Sequence, residues 1–148
     1  MRTHSSFCLL SLLALLATLR VQADAPPQHY TVQAGTVRDN ATQLTWQQAT
    51  DNDKRTWSEA VAYCMQLQLS GTGWRLPTLK ELLTVVDPAR TTAPVIDSKA
   101  FPGMPADTFW SSNSFASDAN YAWTIDFRFG NSAKDHAKSA GAYVKCVR

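Results

Sequence analysis

The clearest pattern of hydrophobic and polar positions lies between residues 121 and 128. Large apolar side chains alternate there with small or polar ones, and a period of two is typical of a strand with one buried face. The pattern therefore predicts a strand whose aromatic face is buried. The alternating residues are Tyr121, Trp123, Ile125 and Phe127 on one face and Ala122, Thr124, Asp126 and Arg128 on the other.

Two earlier segments carry signals for the start of a helix. Thr56 is followed three residues later by Glu59, and Thr78 by Glu81, so that each pair forms a capping box. Apolar residues recur with a helical period after each box. The sequence therefore predicts two short helices, with Cys64 on the buried side of the first.

Arg75 lies between Trp74 and Leu76, just ahead of the second helix. Its guanidinium could face an anionic ligand, or it could hold the following loop through carbonyl and carboxylate hydrogen bonds. We favour the structural role.

Further strands are expected on both sides of the helices. A hairpin is predicted between Tyr30 and Trp46, a strand over residues 109–113, and a final strand over residues 142–147 that carries Cys146. The proline-rich segment 87–107 is expected to form an ordered loop that packs on the body. Together these elements predict an α+β fold, with two early helices packed on an antiparallel sheet.

The N-terminal region has the features of an export signal. Residues 1–23 combine a basic start, an apolar run over residues 7–19 and small residues before position 24, which is typical of a signal peptide. The apolar run is shorter than the roughly 20 residues that a membrane span requires. We expect a short linker over residues 24–29 and one domain over residues 30–148, exported to the periplasm or the cell exterior and not membrane-spanning.

Charge argues against nucleic acid as the main partner. The whole chain carries 14 basic and 12 acidic residues, and loss of residues 1–23 removes Arg2 and Arg20. The mature chain is then nearly neutral, whereas proteins that bind nucleic acid need many cations to neutralise phosphates. Residues 128–148 nevertheless contain several cations and only one acidic residue, Asp135.

Cys64 and Cys146 are the cysteines that remain after the predicted signal peptide. In an oxidising compartment, an even pair of cysteines usually forms a disulfide. This bond would join the first helix to the last strand.

A series of short motifs runs in order through most of the mature chain. The elements resemble the C-type lectin-like fold and its relative in the formylglycine-generating enzymes. More closely, the chain is similar to the Lcl C-terminal domain family, whose domain lies at the C-terminal end of the Legionella collagen-like adhesin. The adhesin's domain is associated with sulfated glycosaminoglycans, and the resemblance thus implies a binding domain with a basic surface. The motifs are Leu44-Thr45-Trp46-Gln47, Thr56-Trp57-Ser58-Glu59-Ala60 with Cys64, Gly73-Trp74-Arg75-Leu76-Pro77-Thr78 with Glu81-Leu82, Phe109-Trp110-Ser111-Ser112, Ala122-Trp123 with Asp126-Phe127 and Gly130, and Val144-Lys145-Cys146-Val147-Arg148.

The residue pattern does not favour an enzyme. The formylglycine-generating relatives use paired copper-binding cysteines, but here Cys64 and Cys146 are assigned to a disulfide. No Gly-x-Ser-x-Gly motif is present, and His29 and His136 lie in segments predicted as linker or loop. We therefore expect no catalytic activity and no resident cofactor.

Calcium is an alternative that the sequence leaves open. Asn113, Asp118, Asn120 and Asp126 offer the oxygen ligands that calcium prefers. The Glu-Pro-Asn and Gln-Pro-Asp triplets of calcium-dependent sugar-binding lectins are absent. We favour the interpretation that these are turn residues, with no metal site.

The sharpest binding hypothesis is a basic patch for sulfated or otherwise anionic glycans. The alternative is an ordinary charged surface that protects a sheet edge from pairing. The predicted ligand-binding residues are Arg128, Lys134, Lys138, Lys145 and Arg148, with Trp110 and Asn113.

We interpret the chain as an exported, non-enzymatic binding module for a carbohydrate or anionic glycan at the bacterial envelope or surface. The alternative is a protein-interaction domain of an adhesion or secretion apparatus in the periplasm or envelope. That domain would use the segment 87–107 as its contact surface. The sequence leaves the identity of the ligand and the oligomeric state open.

Overall fold

A computed structural model describes residues 28–148. The predicted signal peptide and most of the predicted linker lie outside the described residues. The elements, in chain order, are β1 (Tyr30–Gln33), β2 (Thr36–Asp39), β3 (Thr45–Gln47), α1 (Trp57–Gln66), α2 (Leu79–Thr84), β4 (Thr108–Ser114), β5 (Tyr121–Asp126) and β6 (Asn131–Ala137).

The first sheet is formed by β1, β2 and β3, which pair antiparallel in that order. Val37 on the central strand lies opposite Val32 on one side and Trp46 on the other. Val37 and Trp46 are fully buried, whereas Val32 is half exposed on the edge strand. Gly35, with a φ of +76°, makes the tight turn between β1 and β2. The predicted hairpin is thus part of a three-stranded sheet.

The second sheet is formed by β4, β5 and β6, also antiparallel and in chain order. Phe109 lies opposite Ile125, and Ile125 lies opposite Ser132 on the edge strand. The register shifts once in each ladder, between Trp110 and Ser114 on β4 and again within β5. Such irregularities bend a strand and redirect its side chains.

Both predicted helix starts are confirmed. In α1, the Glu59 carboxylate accepts hydrogen bonds from the backbone N–H and the hydroxyl of Thr56. In α2, the Glu81 carboxylate accepts from the Thr78 N–H, and the Glu81 N–H donates to the Thr78 hydroxyl. These bonds satisfy backbone donors that have no partner within a first helical turn.

The predicted arrangement of two early helices packed on one antiparallel sheet is wrong. The strands are divided between two separate sheets, and the helices span only ten and six residues. The pattern of hydrophobic and polar positions did not identify β6, because most residues of this strand are exposed. An edge strand is held by backbone hydrogen bonds to its neighbour, so it needs no alternation of apolar side chains.

The predicted disulfide is confirmed, but its place in the fold is different. Cys64 on α1 is bonded to Cys146, and both residues are fully buried. Cys146 does not lie on a last strand, since the chain after β6 makes only isolated bridges, including those from Val147 to Trp46 and to Arg75. The disulfide therefore joins α1 to a C-terminal segment that runs between Trp46 of β3 and Arg75.

Two hydrophobic clusters form the core. One contains Phe109 and Ile125 together with Phe101 from the segment 87–107, which confirms that this segment packs on the body. The other surrounds the disulfide and contains Trp110 and Ala122. Strand β5 contributes to both clusters, so both of its faces are covered.

The expectation that only the aromatic face of β5 is buried is therefore wrong. Ala122 and Thr124 are buried, whereas Tyr121 and Trp123 are only half-buried. Ala122 is covered because it packs in the second cluster, which contains the large side chain of Trp110.

Candidate functional site

Lys145, one of the five predicted ligand-binding cations, is buried with 1 % of its surface exposed. Its Nζ donates to the backbone carbonyl of Gln48 at 3.0 Å and lies 5.2 Å from the centre of the Phe101 ring. Burial lowers the pKa of this lysine to about 7. Lys145 is thus part of the interior and is not available to a ligand at the surface.

Arg128 and Arg148 are each engaged by partners of their own. Arg128 binds the carboxylate of Asp126, with Nη2 2.6 Å from Oδ2. That hydrogen bond lowers the pKa of Asp126, and it holds the arginine within its own turn. Arg148 lies over the ring of Trp74 and donates to the backbone carbonyl of Thr72.

The two uncharged residues of the predicted site have structural partners. Trp110 is fully buried, and its Nε1 donates to the backbone carbonyl of Arg55 at 2.7 Å. The side-chain oxygen of Asn113 accepts from the backbone N–H of Leu79 at 2.8 Å, which caps the first turn of α2.

Lys134 and Lys138 remain on the surface near the exposed edge of the second sheet. Lys134 lies 5.4 Å from the centre of the Phe115 ring, and Lys138 lies 4.3 Å from the centre of the Trp57 ring. Lys138 Nζ also donates to Ser114 Oγ at 2.7 Å. The structure therefore does not assemble the five cations into one patch, and each of these two lysines covers a different aromatic ring.

Lys138 lines a shallow groove of about 380 Å³, which we call the Lys138 groove. Its walls are joined by backbone hydrogen bonds: Trp57 N donates to Lys138 O at 2.9 Å, and Lys138 N donates to Asn120 O at 2.8 Å. The start of α1, the β4–β5 turn and the end of β6 thus meet at one place. The groove is lined by Thr56, Ser58, Ala119, Asn120, Lys138 and Ser139.

Five of the six residues that line the Lys138 groove carry a polar side chain, and Ala119 is the exception. Hydroxyl groups and an amide can both donate and accept hydrogen bonds, and an ammonium group supplies three donors. Lys138 uses one of these donors on Ser114. The groove can therefore bind a ligand that carries hydroxyl groups and a negative charge.

A carboxylate, Glu59, lies close to the groove but is already engaged. Hydrogen bonds from the Thr56 side chain and backbone lower the pKa of Glu59. The capping box holds the Glu59 carboxylate against the first turn of α1. Lys138 is the cation of the groove itself.

Sequence reasoning missed the other groove residues. Ser58 and Asn120 are far apart in the chain, and backbone hydrogen bonds to Lys138 and its neighbours bring their segments together. No periodic pattern or motif links them. Lys138 carries a signal for anion binding, as a cation in a segment with few acidic residues, whereas Asn120 was considered only as a calcium ligand.

The oxygen ligands considered for calcium are also placed by the structure. Asp118 accepts from the backbone N–H of Asn120, and Asp126 binds Arg128. Between residues 28 and 148, no group of three or more His, Cys, Asp or Glu side chains is placed to hold a metal ion.

A second pocket, of about 180 Å³, lies where β1 meets the end of α2. Its lining is partly acidic and includes Asp87 and Asp97. No residue of the predicted basic patch lies in it.

Comparison with known families identifies the family of this chain. The family model of the Lcl C-terminal domain matches residues 35–148. The chain belongs to this family. A comparison with curated proteins found no match. Membership of the family supports a binding module of the adhesion type.

The matched residues, 35–148 of this Lcl C-terminal domain, contain both helices, the disulfide and the Lys138 groove. His29 and Tyr30, which line the second pocket, precede the matched residues. In the part of the domain that the structure describes, no helix is both long and apolar enough to cross a membrane.

Proposed function

We propose that this Lcl C-terminal domain is an exported, non-enzymatic binding module that recognises a carbohydrate with an anionic group in the Lys138 groove. The observation that carries the proposal is the meeting of three chain segments around Lys138, with hydroxyl and amide side chains beside the ammonium group. Family membership supports the adhesion-type role.

The chemistry of the groove suits a sugar better than an apolar ligand. Sugars present hydroxyl groups that both donate and accept hydrogen bonds, and Ser58, Asn120 and Ser139 can do the same. A sulfate or carboxylate on the sugar would pair with Lys138 through charge-assisted hydrogen bonds. The half-buried Trp57 ring lies beneath Lys138 and supports the position of its ammonium group.

Binding without catalysis is supported by how the reactive side chains are engaged. Cys64 and Cys146 are bonded to each other and buried, so neither supplies a thiolate. Nε2 of His136 is buried without a hydrogen-bond partner, and its ring lies edge-on against Trp110. Neither arrangement offers an activated nucleophile.

The test is a glycan array probed with the purified protein, its Lys138→Gln variant and its Lys134→Gln variant. We expect the parent protein to retain sulfated or carboxylated glycans at low salt and to lose them as salt is raised, because exposed charge pairs are screened within about 10 Å at 0.1 M salt. Lys138→Gln should weaken retention by about tenfold or more, which is about 1.4 kcal/mol.

Lys134→Gln is the matched control, because it removes the same charge from an exposed position on β6 outside the groove. It should leave retention close to that of the parent. Equal losses in the two variants would mean that binding spreads along β6, and retention of uncharged glycans alone would contradict the role of Lys138.

A further inference from the structure

The second pocket is separate from the Lys138 groove. It has a volume of about 180 Å³ and is built from the start of β1, the end of α2 and the segment 87–107. Its lining includes His29, Tyr30, Val85, Val86, Asp87 and Asp97. It thus combines aromatic and aliphatic walls with two carboxylates.

Buried carboxylate oxygens around this pocket lack hydrogen-bond partners. Asp87 Oδ1 accepts from the backbone N–H of Ala89, but Asp87 Oδ2 is buried with no partner. Asp39, which is 1 % exposed, lies beside the pocket: its Oδ1 is 3.7 Å from Nε2 of His29, and its Oδ2 is buried with no partner. Buried polar atoms are nearly always bonded, so these oxygens retain acceptor capacity beside the pocket.

Tyr30 reports the electrostatic character of the pocket. Its pKa is raised well above the usual value, first by burial and then by the charges of Asp39, Asp97 and Asp87. The negative charges of these three carboxylates therefore all act on the Tyr30 hydroxyl. The Tyr30 ring packs edge-on against Phe101, which fixes it as a rigid wall of the pocket.

We propose that this pocket binds a basic side chain, arginine or lysine, presented by a partner protein. The cation would donate to the carboxylates of Asp87 and Asp97, and the Tyr30 ring would face it. Val85 and Val86 would cover the methylene stem, as apolar surface does for long basic side chains.

A partner protein fits this chemistry better than a metal ion or a glycan. Within residues 28–148, no His, Cys, Asp or Glu cluster is placed to hold a metal. Hydroxyl-rich or sulfated sugars offer no cation. The pocket also belongs in part to the long segment 87–107, and loops of this length in compact domains are often functional.

Two cations of the same segment moderate the expected affinity. Arg90 and Lys99 both make bonds of their own, including one from Arg90 Nη1 to Ser98 Oγ. These two cations lie in the same segment as Asp87 and Asp97 and reduce its net negative charge. A single basic side chain should bind with a Kd of about 1 mM or weaker, and a partner protein would add contacts outside the pocket.

The experiment is an NMR titration of the purified protein with acetyl-Gly-Arg-Gly-amide. The matched probe contains citrulline, which has the shape of arginine without its charge. We expect the arginine peptide to shift the amide signals of Tyr30, Asp87 and their neighbours in a saturable, salt-sensitive manner. The citrulline peptide should not shift them.

Asp87→Asn tests the pocket directly, because the new side chain keeps the oxygen that accepts from Ala89 and removes the charge. It should weaken binding about fivefold or more, since a charge-assisted contact is lost. Asp118→Asn is the control, because Asp118 accepts from the N–H of Asn120 in the same way at a distant turn. It should bind the arginine peptide like the parent.

Three results would overturn the proposal. These are the absence of shifts at the pocket with the arginine peptide, equal shifts with the citrulline peptide, or unchanged binding by Asp87→Asn when its spectrum shows the parent fold. None of them bears on the Lys138 groove, which is tested separately by the glycan array.

Discussion

Arg75 holds the carboxylate of Glu81 through two parallel hydrogen bonds. Nη2 lies 2.6 Å from Oε1, and Nη1 lies 2.8 Å from Oε2. The same carboxylate accepts from the backbone N–H of Thr78 at 2.8 Å. Glu81 therefore links the extended segment before α2 to the first turn of that helix, and Arg75 has the structural role and not the ligand-facing one.

The pair predicts an acid-sensitive contribution to stability. The hydrogen bonds from Arg75 lower the pKa of Glu81 to about 2. Because the folded-state pKa is lower than the unfolded value of 4.5, the contribution is complete above pH 4.5 and is lost as the pH falls toward 2. Glu81→Gln should lower the free energy of unfolding at pH 7 by about 1 kcal/mol, a value reduced by the half-exposed position of Arg75. Urea unfolding at pH 7, 4 and 2.5 measures it, and the difference from the parent should shrink at the lowest pH.

Glu59→Gln is the matched control for this prediction. Glu59 caps α1 in the same way, but its hydrogen bonds come from Thr56 and none from an arginine. Its effect on stability should be smaller than that of Glu81→Gln. Equal effects of the two variants would show that capping, and not the Arg75 contact, accounts for the loss.

The local signals in the sequence were sufficient for the helix starts, because a capping box is complete within four residues. Thr56 with Glu59 and Thr78 with Glu81 both form as predicted. The strand β6 was missed because its order comes from backbone bonds to β5, which leave no trace in its side chains. Strand pairing depends on the same kind of backbone bonds, so the division into two sheets could not be predicted either.

The residues of the predicted binding site could also be predicted only in part from the sequence. Lysine is rarely buried, and alternation with the buried Val144 and Cys146 also directs Lys145 outward in the predicted strand, so no local signal indicates that it lies in the interior. Lys138 was found, but the hydroxyl groups around it come from separate segments. Charge along the sequence therefore identified one groove residue, and the rest depended on the tertiary fold.

The disulfide should contribute strongly to stability. Cys64 and Cys146 are separated by 82 residues, and closing a loop of this length stabilises by about 4 kcal/mol on the loop-entropy estimate. The double variant Cys64→Ala/Cys146→Ala should lose about this free energy of unfolding in urea. Reductant should destabilise the parent to a similar extent and leave the double variant unchanged. Reactive thiols in the denatured, unreduced parent would contradict the bond.

Gly130 should not tolerate a side chain. It has a φ of +79°, and a Cβ placed there would lie 2.7 Å from Cγ1 of Val86. Gly130→Ala should therefore lower stability by about 2 to 3 kcal/mol, since backbone strain and overpacking add. Gly103→Ala is the control, because Gly103 has a φ of +68° but open space around it. It should cost about 1 kcal/mol, and an equal loss in thermal unfolding at both sites would exclude the contact with Val86 as a cause.

Lys145 predicts a stability that rises with pH. Burial lowers its pKa to about 7 from 10.5, so between these values the unfolded chain holds a proton that the folded chain has released. Stability should therefore be lowest below pH 7 and rise above it by up to about 1.4 kcal/mol per pH unit. Tyr30 has the opposite effect above pH 10, because its pKa is raised in the folded state. The effect of Lys145 on stability can therefore be measured apart from that of Tyr30 between pH 7 and 9.

Lys145→Met separates this effect from the other titrating groups. Methionine fills a similar volume without a charge, although the carbonyl of Gln48 loses its donor, which costs about 1 kcal/mol. The variant should gain stability relative to the parent at pH 6.5, and the slope of its unfolding free energy between pH 7 and 9 should be flatter. Lys134→Met, at an exposed position on β6, should keep the slope of the parent. A parent profile that is already flat in this window would contradict the lowered pKa of Lys145.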